Sequence, residues 1–258
     1  MIDMMLSDTL LVALAAGGLA ALLTSVGALL GILFGLSRVK PERFLDVGLA
    51  FSAGVMIVAS FTNLLMPAME AWSAPPAILG LITGVVAMIA VHVMLPHEHT
   101  RKEAYEGPYW GRKLHVALLV SFAVVIHNFP EGLVIGAASA YDVKSGLLLG
   151  LAIGLQDIPE GIAIILPLYL STGRAVYSLA VGMLSGLSEL VMALLGATLG
   201  ESSMALLPVL LGFGAGAMIF VSVREVIPES FREGHEDEAT LGFFLGFIMM
   251  LLLDLTLS

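Results

Sequence analysis

The chain contains no cysteine. That excludes disulfides and thiolate ligands, and leaves imidazole, carboxylate, amide and thioether as the side chains available to a metal. Charge is also scarce, at 12% of 258 residues. Polar stretches are short except for 97–113, so no soluble domain fits anywhere, and no nucleic-acid partner or organic cofactor is expected. The opening Met1-Ile2-Asp3-Met4-Met5 carries no Lys or Arg. It lacks the basic region of a cleaved signal peptide, and the first apolar segment reads as a retained span.

What is abundant is apolar. The chain is 59% hydrophobic with a mean hydropathy of +1.00, values that describe a polytopic helical membrane protein whose partner is the lipid bilayer. About 20 residues suffice to cross a bilayer as a helix. Segments of that size lie near 9–34, 44–69, 77–96, 114–140, 145–171, 175–199, 204–230 and 239–257. The expected fold is therefore all-α and integral to the membrane: eight transmembrane helices in one bundle, forming a single domain over 1–258. If the N-terminus is outside, inner loops receive Arg38, Lys40, Arg43, Arg101, Lys102, Arg112, Lys113, Arg174 and Arg232, whereas outer loops receive only Lys144. This bias predicts both termini on the extracytoplasmic side, with 97–113 a cytosolic loop.

Two near-copies of one hexapeptide stand deep in this apolar background: HNFPEG (His127 to Gly132, span four) and QDIPEG (Gln156 to Gly161, span five). In each copy the first and fifth residues are one helical turn apart, about 6 Å along the axis, which puts His127 over Glu131 and Gln156 over Glu160. Asn128 and Asp157 sit one residue round the helix. Pro130 and Pro159 remove a backbone donor and free the carbonyls of Ile126 and Leu155, so spans four and five are expected to carry proline-kinked motifs. A second pair, AGVMI (Ala53 to Ile57) and AGAMI (Ala215 to Ile219), is followed at the same offset by Ser60 and Ser222, then by Pro67 and Pro228. Both pairs lie on spans that run in opposite directions. Inverted repeats with broken helices near mid-membrane are a recurring transporter architecture. Glycines spaced by four, such as Gly31/Gly35 and Gly80/Gly84, read as close-packing surfaces.

Glu131, Asp157, Glu160 and Glu189 all fall well within predicted spans, with no Lys or Arg at comparable depth. Each ionised acid near a bilayer centre costs roughly 2.5–3.5 kcal/mol, so four cost about 10 kcal/mol, comparable to a whole domain's net stability. Either most are protonated or a cation resides among them. Acids alone suit Na⁺, H⁺, Mg²⁺ or Ca²⁺; His127 shifts the balance toward Zn²⁺ and its neighbours. Glu131 and Glu160 on facing helices are placed to bridge two metals, one taking His127, Gln156 and the thioether of Met56, the other Asn128, Asp157 and Glu189. Ligands bind metal only when deprotonated, so uptake is expected to weaken in acid. Glu70 and Asp254 toward the outer ends of spans two and eight, and Glu225 toward the inner end of span seven, mark a candidate path for cations. His92 and His115 read as core residues, and His97-Glu98-His99 and His235-Glu236-Asp237-Glu238 as solvated loops.

Two consecutive spans carrying HNFPEG and its Gln-Asp-x-Pro-Glu-Gly counterpart resemble the ZIP family of metal transporters, most closely its bacterial GufA-like branch. The resemblance covers essentially the whole chain. It implies eight spans with both termini outside, uptake of Zn²⁺ as substrate (with Fe²⁺, Mn²⁺ or Cd²⁺ also taken) across the plasma (inner) membrane, and a homodimer. Family metal positions carry over to His127, Asn128, Glu131, Gln156, Asp157, Glu160, Glu189 and Met56, on helices that slide or rock against a scaffold including spans two and seven. Gln156 stands where many members have histidine, and 97–113 lacks their long histidine run. The alternative is a proton- or sodium-coupled carrier of another solute. No H-E-x-x-H occurs anywhere, which argues against an intramembrane metalloprotease, and no enzymatic activity is expected.

Overall fold

The computed structural model describes residues 2–37, 42–94, 116–232 and 234–257, and the side chains of all of these except 2–7, 116–127 and 257. The loop 97–113, with His97-Glu98-His99, and the side chains of His115 and His127 lie outside the described residues. Among the described residues there is no strand, and the helices succeed one another as α1 (Ile2–Ser37), α2 (Glu42–Ala59), α3 (Met66–Ala71), α4 (Ala74–Met94), α5 (Val116–Tyr141), α6 (Val143–Thr172), α7 (Ala175–Ser202), α8 (Leu207–Val221), α9 (Ile227–Ser230) and α10 (Glu236–Leu257). Seven helical rods among those residues are long and apolar enough to cross a membrane, with Glu42–Ala71 and Leu207–Ser230 each counted as one. The chain is an all-α membrane protein.

Local chemistry sets the helix ends. Asp142 caps α6, its carboxylate accepting from the Ser145 amide at 3.0 Å. Gly173 closes the same helix in the left-handed conformation, φ 65°, with its amide donating to the Tyr169 carbonyl. At α10 the run Glu236-Asp237-Glu238 is no loop. It forms the first helical turn, where three acids meet the positive end of the helix dipole. His235 just ahead of it turns inward, with Nδ1 2.8 Å from Oδ2 of the buried Asp46.

The two hexapeptide prolines lie inside continuous helices, Pro130 in α5 and Pro159 in α6. Beside Pro159, Gly48 of α2 presents no side chain, and a Cβ there would approach the proline Cβ to 2.6 Å. Ser52 of α2 also donates to the Gln156 carbonyl at 2.9 Å. The irregular turns lie instead between α2 and α3 and between α8 and α9, where Ser60–Leu65 and Ser222–Val226 are π-helical. Each wide turn ends on an i→i−5 bond, Met66 N–H to Phe61 and Ile227 N–H to Ser222, just ahead of Pro67 and Pro228. Widening the turn there accommodates a proline that cannot join the normal ladder. At the start of each, the serine hydroxyl turns back to a carbonyl four residues earlier, Ser60 to Met56 at 2.7 Å and Ser222 to Met218 at 2.8 Å.

Packing sorts the helices into two groups. One comprises α1, α5, α6 and α7, with α1 against α6 and α7 and α5 against α7. The other pairs α2 with α10 and α4 with α8. Glycine makes these approaches close. A Cβ on Gly132 would collide with the Glu189 carbonyl oxygen, one on Gly54 with that of Phe243, and one on Gly216 with that of Leu81. The outward faces of α4 and α10 are apolar, with Ile82, Val86 and Val93 on one and Leu241, Leu245 and Leu252 on the other exposed. Such surfaces suit lipid and would associate in water.

Candidate metal centre

The polar centre lies inside the first group, where α1, α5, α6 and α7 face one another. The helical spacing puts Asn128 and Glu131 on one face of α5 and Gln156, Asp157 and Glu160 on one face of α6. Those faces turn away from lipid: Glu131, Asp157, Glu160 and Glu189 are 1%, 2%, 6% and 0% exposed. Glu131, Asp157 and Glu160 each offer an oxygen within 4.8 Å of the other two. Two full charges at that separation repel by about 3 kcal/mol at an effective dielectric of about 20. The oxygens around a tetrahedral Zn²⁺ stand about 3.5 Å apart, so modest side-chain rotation gathers the three round one ion.

Neutral donors orient these acids. Gln156 Nε2 donates to Glu131 Oε1 at 2.8 Å. Asn128 Nδ2 donates to Glu189 Oε1, and Thr24 on α1 reaches the same oxygen at 2.9 Å. Among the described residues, Asp157 Oδ1, Glu160 Oε1 and Gln156 Oε1 are buried with no hydrogen-bond partner. Buried acceptors without partners are costly, and oxygens of this type, beside the acid cluster on one helix, are donors that suit a hard or borderline cation. A crevice opens beside them, lined by Thr24, Asn128, Asp157 and Glu160 and continuing along α6 and α7 past Ile164 and Ser185.

Of the eight metal positions expected from sequence, six are joined here through the acid cluster and its hydrogen bonds: Asn128, Glu131, Gln156, Asp157, Glu160 and Glu189. His127 lies on α5 one turn before Glu131, its side chain outside the described residues. Met56 is fully buried, and its sulfur accepts from Ser222 Oγ at 3.4 Å, a contact between α2 and the π-helical turn after α8. None of the three path residues belongs to the acid cluster, although Glu225 is near enough for its charge to act on Glu160. Glu70 is exposed on α3, Asp254 is half-buried on α10, and Glu225 is 3.7 Å from His92 Nδ1. His92, expected in the core, thus meets Glu225 and, at 3.2 Å, Arg224. Thr24 and Ser52 were not legible as site residues. Each is a lone hydroxyl in an apolar helix, where bonding to its own backbone is the ordinary outcome.

Fold and centre together define a class: all-α membrane proteins with a buried acidic site suited to a divalent cation. A family model described as ZIP Zinc transporter matches residues 93–254. The chain is 40% identical over 260 residues to zinc transporter ZIPB of Bordetella bronchiseptica, covering 94% of this chain and 80% of that protein. It is 38% identical to zinc transporter GufA of Myxococcus xanthus, covering 76% and 80%, and 32% identical to zinc transporter ZupT of Stenotrophomonas maltophilia, covering 91% of each. The chain belongs to the ZIP family of transporters.

Proposed function

We propose that this protein carries divalent transition-metal ions into the cytosol, Zn²⁺ foremost, with Cd²⁺, Fe²⁺ and Mn²⁺ also accepted. The observation that carries this reading is the convergence of Glu131, Asp157 and Glu160, buried and within 4.8 Å of one another, with neutral donors but no described Lys or Arg beside them. The relatives named as zinc transporters support it, and nothing favours a proton- or sodium-coupled carrier of another solute.

The centre holds two metal positions on this reading. One is formed by His127, Glu131, Gln156 and Glu160, the other by Asn128, Asp157 and Glu189, with Glu131 and Glu160 bridging. The bond from Asn128 to Glu189 supports the second grouping. Met56 on α2 completes the first position on this reading, a place that rests on the family resemblance.

The finer architecture follows. Eight spans cross the membrane in a single domain over 1–258, taking α5 as the eighth rod, with both termini outside and the plasma membrane as the site of residence. The matching π-helical turns before Pro67 and Pro228 support an inverted repeat relating α2–α3 to α8–α9, with α5 related to α6. With that orientation the crevice beside Asp157 runs toward the cytosolic end of α6. The group α1, α5, α6 and α7 moves against the rest to expose the centre to either side. The family resemblance supports a homodimer, and Glu70, Asp254 and Glu225 line the approach and exit. Zn²⁺ uptake by proteoliposomes is the test. The wild type accumulates Zn²⁺, less so as the pH falls; equal rates for the wild type and Glu131→Ala exclude the site.

A further inference from the structure

One well-connected side chain at the centre belongs to neither hexapeptide. Thr24, on α1 and 4% exposed, places Oγ1 2.9 Å from Glu189 Oε1, 3.2 Å from Glu189 Oε2, 3.3 Å from Asp157 Oδ2 and 3.0 Å from the Ala20 carbonyl oxygen. A hydroxyl has one proton to give. A buried threonine remote from other acceptors gives it to the carbonyl four residues back. Here two carboxylates from two other helices compete for it, and charged acceptors take the stronger bond.

The approach is built into the backbone. α1 comes so near α6 that a Cβ on Gly161 would stand 2.9 Å from the Thr24 carbonyl oxygen, and one on Gly27 3.0 Å from that of Asp157. The backbone of Thr24 is therefore held close against α6. It lines the same crevice as Asp157, whose other oxygen, Oδ1, has no hydrogen-bond partner among the described residues.

We propose that Thr24 is a positioning residue for the metal held by Asn128, Asp157 and Glu189. Its hydroxyl donates its one proton to Glu189 while standing 3.3 Å from Asp157 Oδ2, which keeps the two carboxylates side by side and leaves Asp157 Oδ1 for the ion. The inference rests on the metal-transport reading and adds a residue from a third helix to it. Groups that orient metal ligands are typically worth 10–100-fold in affinity, so a loss of about that size is expected when the hydroxyl is removed and the shape kept.

The experiment is equilibrium Cd²⁺ binding and Zn²⁺ uptake by the purified full-length chain, for the wild type, Thr24→Val and Thr24→Ser. The expected result is two ions per wild-type chain. In Thr24→Val one binding constant weakens about 10–100-fold and the other is unchanged, with uptake showing a raised KM at a smaller cost in kcat. Thr24→Ser restores both. The inference is overturned if Thr24→Val keeps both constants, or if Thr24→Ser fails as Thr24→Val does, because the methyl rather than the hydroxyl then matters. A wild type that binds one ion overturns it together with the second position while sparing the first. A wild type that binds none removes the metal reading itself.

Discussion

Gln156 Nε2 donates to Glu131 Oε1 across 2.8 Å, tying the first residue of one hexapeptide to the fifth of the other. The amide spends its donor on a carboxylate, and its oxygen, without a partner among the described residues, is left for a cation. Replacing Gln156 with Ala removes both, and metal affinity is expected to fall about 10–100-fold. Gln156→His supplies an imidazole instead, which suits Zn²⁺ better than Mn²⁺. Competition uptake with Zn²⁺ against Mn²⁺ should therefore shift toward Zn²⁺ in Gln156→His. An unchanged preference would show that position 156 does not touch the ion.

Gly132 and Gly18 make a contrast that stability measurements can read. A Cβ on Gly132 would strike the Glu189 carbonyl oxygen, whereas one on Gly18 meets nothing within 4 Å. Gly132→Ala should destabilise the protein by about 1–3 kcal/mol through overpacking and force α5 from α7, weakening the Asn128–Glu189 contact. Gly18→Ala should be neutral or stabilising by up to about 1 kcal/mol, because alanine is the better helix former. Unfolding midpoints in detergent check both, and a Gly132→Ala protein as stable as the wild type would mean that the helices do not meet so closely.

Much of this molecule was legible because apolar length and buried acids leave strong traces. Seven of the expected spans differ from the observed apolar rods by a few residues, the first of those rods beginning at Asp8 within a helix that starts at Ile2. Pairing of the two hexapeptides was legible for the same reason: acids at helical spacing in an apolar run need one another, a proton or a cation to stay buried. The π-helical turns were harder. Pro67 and Pro228 were visible, but proline marks where a helix must adjust without saying how, and at Pro130 and Pro159 the helix continues. Thr24, Ser52 and the Asp46–His235 pair were hidden for another reason. Each acquires its role from a partner more than 100 residues away, and nothing local distinguishes such a residue from its neighbours.

His235 and Arg43 both bring a cationic or imidazole group to an acid near the start of α2 and α10, with unequal consequences. Asp46 is buried against His235 at 2.8 Å, whereas Arg43 and Glu238 are exposed and 3.5 Å apart. His235→Ala should cost about 1–3 kcal/mol, because it removes a partner from a buried carboxylate. Glu238→Ala should cost at most about 1 kcal/mol, as exposed pairs do. Thermal unfolding of the two variants side by side decides it, and equal losses would mean that the Asp46 contact is not maintained in the membrane.

Ser52 connects the two helix groups. Its Oγ, buried on α2, donates across 2.9 Å to the Gln156 carbonyl on α6, immediately beside the metal ligands. If transport requires α1, α5, α6 and α7 to move against the remainder, this bond exists in one arrangement and must break on the way to the other. A neutral hydrogen bond of this kind contributes about 1 kcal/mol, enough to shift a two-state population about fivefold. Ser52→Ala should therefore change the turnover rate of Zn²⁺ uptake, with a drop in equilibrium Cd²⁺ affinity alongside it because the same hydroxyl also reaches the Glu160 carboxyl, and Ser52→Thr should keep wild-type turnover. The absence of native cysteine allows a direct check. A single pair of cysteines introduced across α2 and α6 reports their separation without background, and its cross-linking rate should change in the alanine variant along with turnover. If cross-linking and turnover are both indifferent to the loss of this hydroxyl, the two groups do not part at Ser52, and the moving boundary must lie elsewhere in the bundle.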